Sequence, residues 1–448
     1  MAASVRSPEI VYLYENIARE LDVACAVAAM LQERHGIRTH LVQWPECVST
    51  LYGKVASPAA VVLPFCYFEH SFDCLLEWRH AAFVNLSWEQ LFYGGNVKAK
   101  TPRGRFATAH VLHHAWSESY ARFLRATGVD ERYLFVNGQP AYALYDEPYR
   151  RYFVDRSALA ARHQLDTRKR WVFFPENYNW AFYSEEMIQF FLRAGQSPTE
   201  VQQMREFCSR SFRQVMEWFV ELARTGEAEV IVRPRPSTPL AQFRAAVEAV
   251  VGDIPPSMHV MQHETVREWI MASDVTLSSH STSLIEAAVA GHPAYMVVPF
   301  DVPDSLTQEW HGMVPRLRTL PEVMAACLDP AVRPDGALAG WARNTLMAHG
   351  DAIANIAEYV AAVATGAVER PPVPSWDTAT AQGAWPRVPK WVCYAFRRGR
   401  AYYRRVLPSV PDPARLREYV SPEEIAGRIE RWRAVLRAPA YMAGSDSA

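Results

Sequence analysis

No stretch of the sequence approaches the ~18 consecutive apolar residues that a membrane-spanning helix requires, so no span is expected. The start, MAASVRSPEIVYLYENIARELD, lacks the apolar core of a secretory signal, and none is expected there either. Cysteine is sparse and scattered: Cys25, Cys47, Cys66, Cys74, Cys208, Cys327 and Cys393 form no C-x-x-C pair. An odd, dispersed set points to reduced thiols, with neither a disulfide frame nor a zinc site. Charge of one sign is missing too. Lys and Arg total 47 against 48 Asp and Glu, which leaves no general basic field for nucleic acid. The expectation is a soluble cytoplasmic protein. With 448 residues, half of them hydrophobic, the chain is too long for one core, and two domains are expected.

Short apolar runs alternate with helical patterns. EIVYLY (9–14) reads as a strand, ARELDVACAVAAMLQERHG (18–36) as a helix closed by Gly36, and IRTHLVQW (37–44) as the next strand. AAVVLPFCY (59–67), AAFVNLSW (81–88) and RYLFVNGQP (132–140) continue the series. A second series follows the charged helix 155–170. WVFFPEN (171–177), AEVIVRPRP (228–236), MHVMQ (258–262), DVTLSS (274–279) and PAYMVVP (293–299) are its strands, with an interrupted helical region at 184–225 and helices at 240–252, 265–273 and 282–291. Such alternation builds parallel βαβ units. The α/β reading is two doubly wound, Rossmann-like domains, 1–160 and 161–370. A Pro-rich linker and helical tail, 371–448, are expected to return to the first. Two such domains would form a cleft, and ligands bind outside the carboxyl ends of the strands.

That rule selects the candidate residues. DVTLSSHSTSLIEAAVAGHPAY places Ser278, Ser279, His280, Ser281 and Thr282 where a strand gives way to a helix. Such a cluster either caps the helix or receives an anion such as a phosphate. Arg233 and Arg235 follow another strand end and match a phosphate, although either alone would serve as a surface ion-pair partner. Glu286 is either an exposed helix glutamate or an acceptor for ribose hydroxyls. Glu176 and Asn177 follow the strand WVFFP, and Gly138 forms a turn after another strand, where backbone could approach a ligand. In the first half, Glu15 and Glu89 close strands and are the preferred carboxylates for a general base or a sugar-hydroxyl acceptor. His110, His113 and His114 have suggestive metal spacing, but their strand setting and lack of an acidic partner argue against zinc.

VFFPENYNWAFYS, VIVRPRPSTP and DVTLSSHSTSLIEAAVAGHPAY, together with YLYENIARELD, LPFCYF, NLSWEQ and HHAW, resemble bacterial surface-carbohydrate biosynthesis proteins of the GT-B glycosyltransferase type. These are similar to capsule Kdo transferases, polysialyltransferases and teichoic-acid CDP-glycerol polymerases. The likeness spans most of residues 8 to 300. Arg235-Pro236 stands where those relatives usually carry His-Pro, which removes an imidazole donor. The resemblance implies a nucleotide sugar on the second domain, its phosphates held by Ser278, Ser279, Ser281, Thr282, Arg233 and Arg235. It implies a glycan or lipid-linked glycan acceptor on the first, with Glu15 or Glu89 taking the proton. No DxD-like motif is present, and metal-independent transfer without a cofactor is expected. A sugar-nucleotide epimerase, a glycerophosphate polymerase or a non-catalytic assembly protein would use the same fold.

Residues 384–408, AWPRVPKWVCYAFRRGRAYYRRVLP, carry seven basic residues, six aromatics and no acid. They read as a helix packed on the first domain, or as a face touching anionic lipid at the inner membrane surface. Nucleic acid ranks third, since the rest of the chain is neutral.

Overall fold

The computed structural model describes residues 7–44, 47–67, 77–92, 97–193, 195–375 and 419–438, with Gly399. The basic, aromatic stretch 384–408 thus lies outside the described residues, Gly399 apart.

Apolar runs without polar alternation suit strands covered on both faces, and they form two parallel sheets. The first contains β1 (Glu9–Tyr14), β2 (Arg38–Gln43), β3 (Ala60–Leu63), β4 (Ala82–Asn85), β5 (Val111–Ala115) and β6 (Leu134–Val136), in the order β2-β1-β3-β4-β5-β6. The second contains β7 (Arg170–Pro175), β8 (Ala228–Arg233), β9 (Met258–Val260), β10 (Val275–Ser278), β11 (Ala294–Val297) and β12 (Arg316–Leu317), in the order β12-β11-β10-β7-β8-β9. The order reverses between β1 and β3 in one sheet and between β7 and β10 in the other. These reversals open a crevice at the carboxyl ends of the strands, where open α/β sheets take ligands.

The described residues fall into two compact units. One holds the chain up to Leu91, Lys98–Tyr152 and everything from Thr345 onward; the other holds Phe92–Val97 and Phe153–Asn344. In the first unit, the helix Asp22–His35 is buried from Asp22 to Leu31 and ends where Gly36, at φ 63°, donates its N–H to Gln32 O. Small residues on all its faces let it pack against both the Ala352–Thr365 and Pro422–Arg437 helices. Fully buried Trp432 of the last helix stacks on Tyr152 at 4.0 Å, and Arg437 clasps Glu33 at 2.7 Å. In the second unit the helix Pro198–Arg224 turns Val201, Met204, Cys208, Phe212, Val215 and Phe219 toward the sheet, a helical spacing.

Several elements differ from the sequence reading. The helix expected over 18–36 begins with a π-helical turn, Ile17–Leu21. The interrupted region resolves into Glu185–Arg193 and Pro198–Arg224, with Pro198 tolerated in a first helical turn. The helix Ala352–Thr365 belongs to the first unit, although the sequence reading grouped 345–370 with the second.

Gly138 also has a different role from the expected one. It sits at φ 106°, and a Cβ there would lie 2.9 Å from Leu346 O. Its close approach is to the chain's own backbone, where Gln139 N–H donates to Leu346 O at 2.7 Å. Gly138→Ala combines a left-handed backbone with that clash and should cost about 2 kcal/mol or more. Urea denaturation checks this; an unchanged midpoint would show that the 346 segment can give way.

Candidate functional site

In the second unit, parallel register sets the neighbours of the crevice. Pro175 pairs with Arg233, and Ser278 Oγ donates to Pro175 O at 2.7 Å. Glu176 therefore lies level with Ser279, just outside the carboxyl ends of β7 and β10. Glu176 is 3% exposed. One of its oxygens accepts the Tyr178 N–H, while Oε2 is buried without a partner. Burial pushes its carboxyl up to about 7 against the pull of the Tyr178 N–H and Arg235. Arg235 is oriented by Asn177, whose Oδ1 accepts from Nη1 at 3.0 Å.

The hydroxyl cluster divides by task. Ser278 is consumed by its bond to the β7 carbonyl. Ser281 Oγ accepts from the Ser283 N–H at 3.3 Å and from Ser283 Oγ at 2.8 Å, a capping arrangement. Thr282 is exposed and its side chain makes no cap bond. Glu286 is half-buried on the following helix. That helix, Ser283–Val289, has only seven residues, so its dipole is a weak attractant for an anion. Ser279 and His280 differ: Ser279 Oγ and His280 Nδ1 are buried and unpartnered. Burial, with His311 and Arg235 nearby, drives the His280 pKa down to about 3 and keeps the imidazole neutral.

Arg233 does not join this group. It is 7% exposed, and its Nε and Nη2 donate to Glu264 O at 3.2 and 3.1 Å. Glu264 sits at φ 63°, so Arg233 fixes the turn ahead of the helix Val266–Ala272. The two arginines expected on one anion thus have separate partners, Arg233 on Glu264 O and Arg235 on Asn177 Oδ1. Sequence reasoning also missed His311. It is 1% exposed, and burial holds its pKa at about 4. It follows β11 by a long loop, and nothing in EWHGM marks it except the histidine itself.

In the first unit, Glu15, Arg19, Pro64, Phe65, Tyr67, Trp88, Glu89 and Lys100 line a cavity of about 240 Å³ at the β1/β3 reversal. Glu15 and Glu89 thus converge, as separate strand ends should. Arg19 ties the group together, donating to Glu89 Oε1 at 2.8 Å and to Glu20 Oε1 at 3.1 Å. Lys100 pairs with the Glu89 carboxylate as well. Glu20, which the sequence reading left aside, is fully buried and accepts the Glu15 N–H at 2.8 Å. Burial lifts its carboxyl to about 7, with Arg19 opposing. Buried Trp88 keeps its Nε1 unpartnered, and Phe65 stacks on Tyr67 at 5.2 Å.

His113 and His114 of β5, and His110 just before it, bond to groups of the protein itself. His113 Nε2 donates to Ala107 O at 2.6 Å while its Nδ1 accepts from Asn85 at 3.0 Å. His114 Nδ1 donates to Leu86 O at 3.1 Å, and His110 Nδ1 donates to Pro372 O at 2.6 Å. Among the described residues, no group of three or more His, Cys, Asp or Glu side chains is placed to hold a metal ion. Among the same residues, no helix is long and apolar enough to cross a membrane.

Solved structures share this fold at low sequence identity. A UDP-N-acetylglucosamine 2-epimerase aligns over 83% of this chain and 100% of its own, with TM-score 0.53 and 12% identity. The UDP-GlcNAc 2-epimerase of Neisseria meningitidis, bound to UDP-GlcNAc, aligns over 79% and 99%, with TM-score 0.51 and 10% identity. The wall teichoic acid polymerase TagF, in a structure with CDPG, aligns over 81% and 89%, with TM-score 0.52 and 8% identity. The fold is GT-B. At these identities the likeness is one of fold. No protein-family model matches the chain, and no curated protein does. In this GT-B chain the strand ends beside the second reversal carry three buried polar atoms without a partner, Glu176 Oε2, Ser279 Oγ and His280 Nδ1.

The raised carboxyl of Glu176 has a consequence for stability. Its folded pKa, about 7, exceeds the ordinary 4.5, so its contribution is complete below pH 4.5 and is lost as pH rises through 7. The loss is about 3 kcal/mol at 1.4 kcal/mol per unit. Glu176→Gln should remove that share of the decline in urea stability between pH 4.5 and 8, leaving the share due to Glu20. Parallel pH curves for variant and wild type would count against the burial argument.

Proposed function

We propose that the chain is a GT-B glycosyltransferase that moves a sugar from a nucleotide-sugar donor to a surface polysaccharide, without a metal ion. The observation that carries this reading is the set of unpartnered buried polar atoms around Arg235: Glu176 Oε2, Ser279 Oγ and His280 Nδ1. Buried polar groups are ordinarily satisfied, and a bound ligand with oxygen atoms would satisfy these. Support also comes from the fold neighbours, whose structures hold UDP-GlcNAc and CDPG.

The donor's phosphate would meet the Arg235 guanidinium, held in place by Asn177, and the Ser279 hydroxyl. As the bond to the sugar breaks, charge builds on the departing phosphate oxygen. A fixed guanidinium and a hydroxyl aimed at that oxygen lower the barrier without reorganising. The acceptor would enter the cavity of the first unit, where aromatic walls face a sugar ring and the Trp88 N–H offers a donor. Glu15, the exposed carboxylate there, is the base that takes the acceptor proton. Glu89, held by Arg19 and Lys100, keeps those cations in place.

A thermal-shift screen against CMP, CDP, UDP, GDP and ADP identifies the nucleotide, since a ligand of the folded state raises its melting point. Arg235→Ala and Ser279→Ala should each weaken that nucleotide roughly 10-fold or more. Glu15→Gln should lower turnover about 100-fold while leaving nucleotide affinity intact. Release of nucleotide only in the presence of an acceptor marks a transferase; conversion of the sugar without one marks an epimerase. If no nucleotide stabilises the wild type, or if both donor-site variants bind as it does, the reading fails.

A further inference from the structure

An arginine that meets an anion loses rotamer freedom, and that cost falls when the protein has already fixed its side chain and backbone. Arg235 is fixed at both. Its Nη1 donates to Asn177 Oδ1 at 3.0 Å. Its backbone opens a β-turn, closed where the Thr238 N–H donates to Arg235 O at 3.0 Å. Pro236 stands second in that turn, where the fixed φ of proline is favoured. A side chain from another strand end then grips the turn. Gln262, two residues past β9, donates through Nε2 to Arg235 O at 2.7 Å and to Thr238 O at 2.8 Å. Both acceptors are carbonyls, so the atom facing them is the amide nitrogen, and both of its hydrogens are used.

The grip runs in both directions. Arg233, at the end of β8, donates to Glu264 O in the loop after β9 at 3.2 and 3.1 Å. Gln262, in the loop after β9, donates to carbonyls in the loop after β8. Each strand end thus lends a side chain to the other's backbone, and the Met261 N–H, donating to Val232 O at 3.1 Å, carries the ladder up to that clasp. We propose that Gln262 is a positioning residue for nucleotide binding: by bridging both ends of the 235–238 turn, it holds Arg235 where the guanidinium meets the donor's phosphate. Gln262 acts through Arg235, since its two donors are already engaged by the turn. The proposal rests on the nucleotide-sugar reading above and deepens it by naming what sets the cation in place.

A double-mutant cycle separates positioning from a merely structural role. Methionine keeps the length of glutamine and removes both donors. Calorimetry would titrate wild type, Gln262→Met, Arg235→Ala and the double variant with whichever of CMP, CDP, UDP, GDP and ADP stabilises the wild type. Gln262→Met should bind that nucleotide roughly 5-fold to 10-fold more weakly than wild type. In the Arg235→Ala background the same substitution should change affinity less than about 2-fold, because the group it positions is gone. Gln262→Asn, one methylene too short to span both carbonyls, should repeat the pattern and replaces Gln262→Met if urea denaturation shows that variant unfolded. Equal losses in the two backgrounds overturn the positioning role, as does wild-type affinity in the Gln262 variants or in Arg235→Ala; the nucleotide-sugar reading then stands on Ser279→Ala. A wild type that binds none of the five nucleotides overturns both.

Discussion

A polar atom cut off from water must find a partner, and this constraint gives the second unit its meaning. Parallel strands leave their last residues at one edge, and at the β7/β10 reversal those residues are Glu176, Ser279 and His280. The local backbone satisfies only part of them. Ser278 closes a bond across the reversal, Asn177 steadies Arg235, and the remaining atoms are buried with nothing to bond. Desolvation then fixes their chemistry. It keeps His280 and His311 neutral and brings Glu176 to a pKa of about 7.

The first unit solves a different problem at the equivalent reversal. Three carboxylates, Glu15, Glu20 and Glu89, crowd one region, and like charges so close would repel. Arg19 bridges two of them and Lys100 holds the third side of Glu89. Removing Glu20 from solvent raises its carboxyl, which further reduces the repulsion. Glu15 keeps its exposure, and that division leaves one carboxylate accessible beside an aromatic-walled cavity.

Much of this was legible in the order of residues. Uninterrupted runs such as IVYLY and WVFFP announce doubly covered strands, and a strand's last residue is visible where the run stops. The rule that parallel sheets bind ligands at those ends picked Glu15, Glu89, Glu176, Ser279 and Arg235. The resemblance of the strand-end motifs to GT-B enzymes pointed to the fold that the structure has. The same rule also picked Arg233, Ser278 and Gly138, which serve the protein's own backbone. It passed over His311, whose long loop hides it from any count along a strand.

The sequence by itself determined that two parallel sheets form and which residues stand at their edges, because burial on both faces of a strand writes itself as local apolar pattern. Only the tertiary structure decided which edge residues are taken up by bonds within the protein. Ser278 bonds to Pro175, 103 positions away, Arg233 to Glu264, and Gly138 lies against Leu346. A hydrogen bond takes whichever partner space brings within about 3 Å, and distance along the chain carries no record of that.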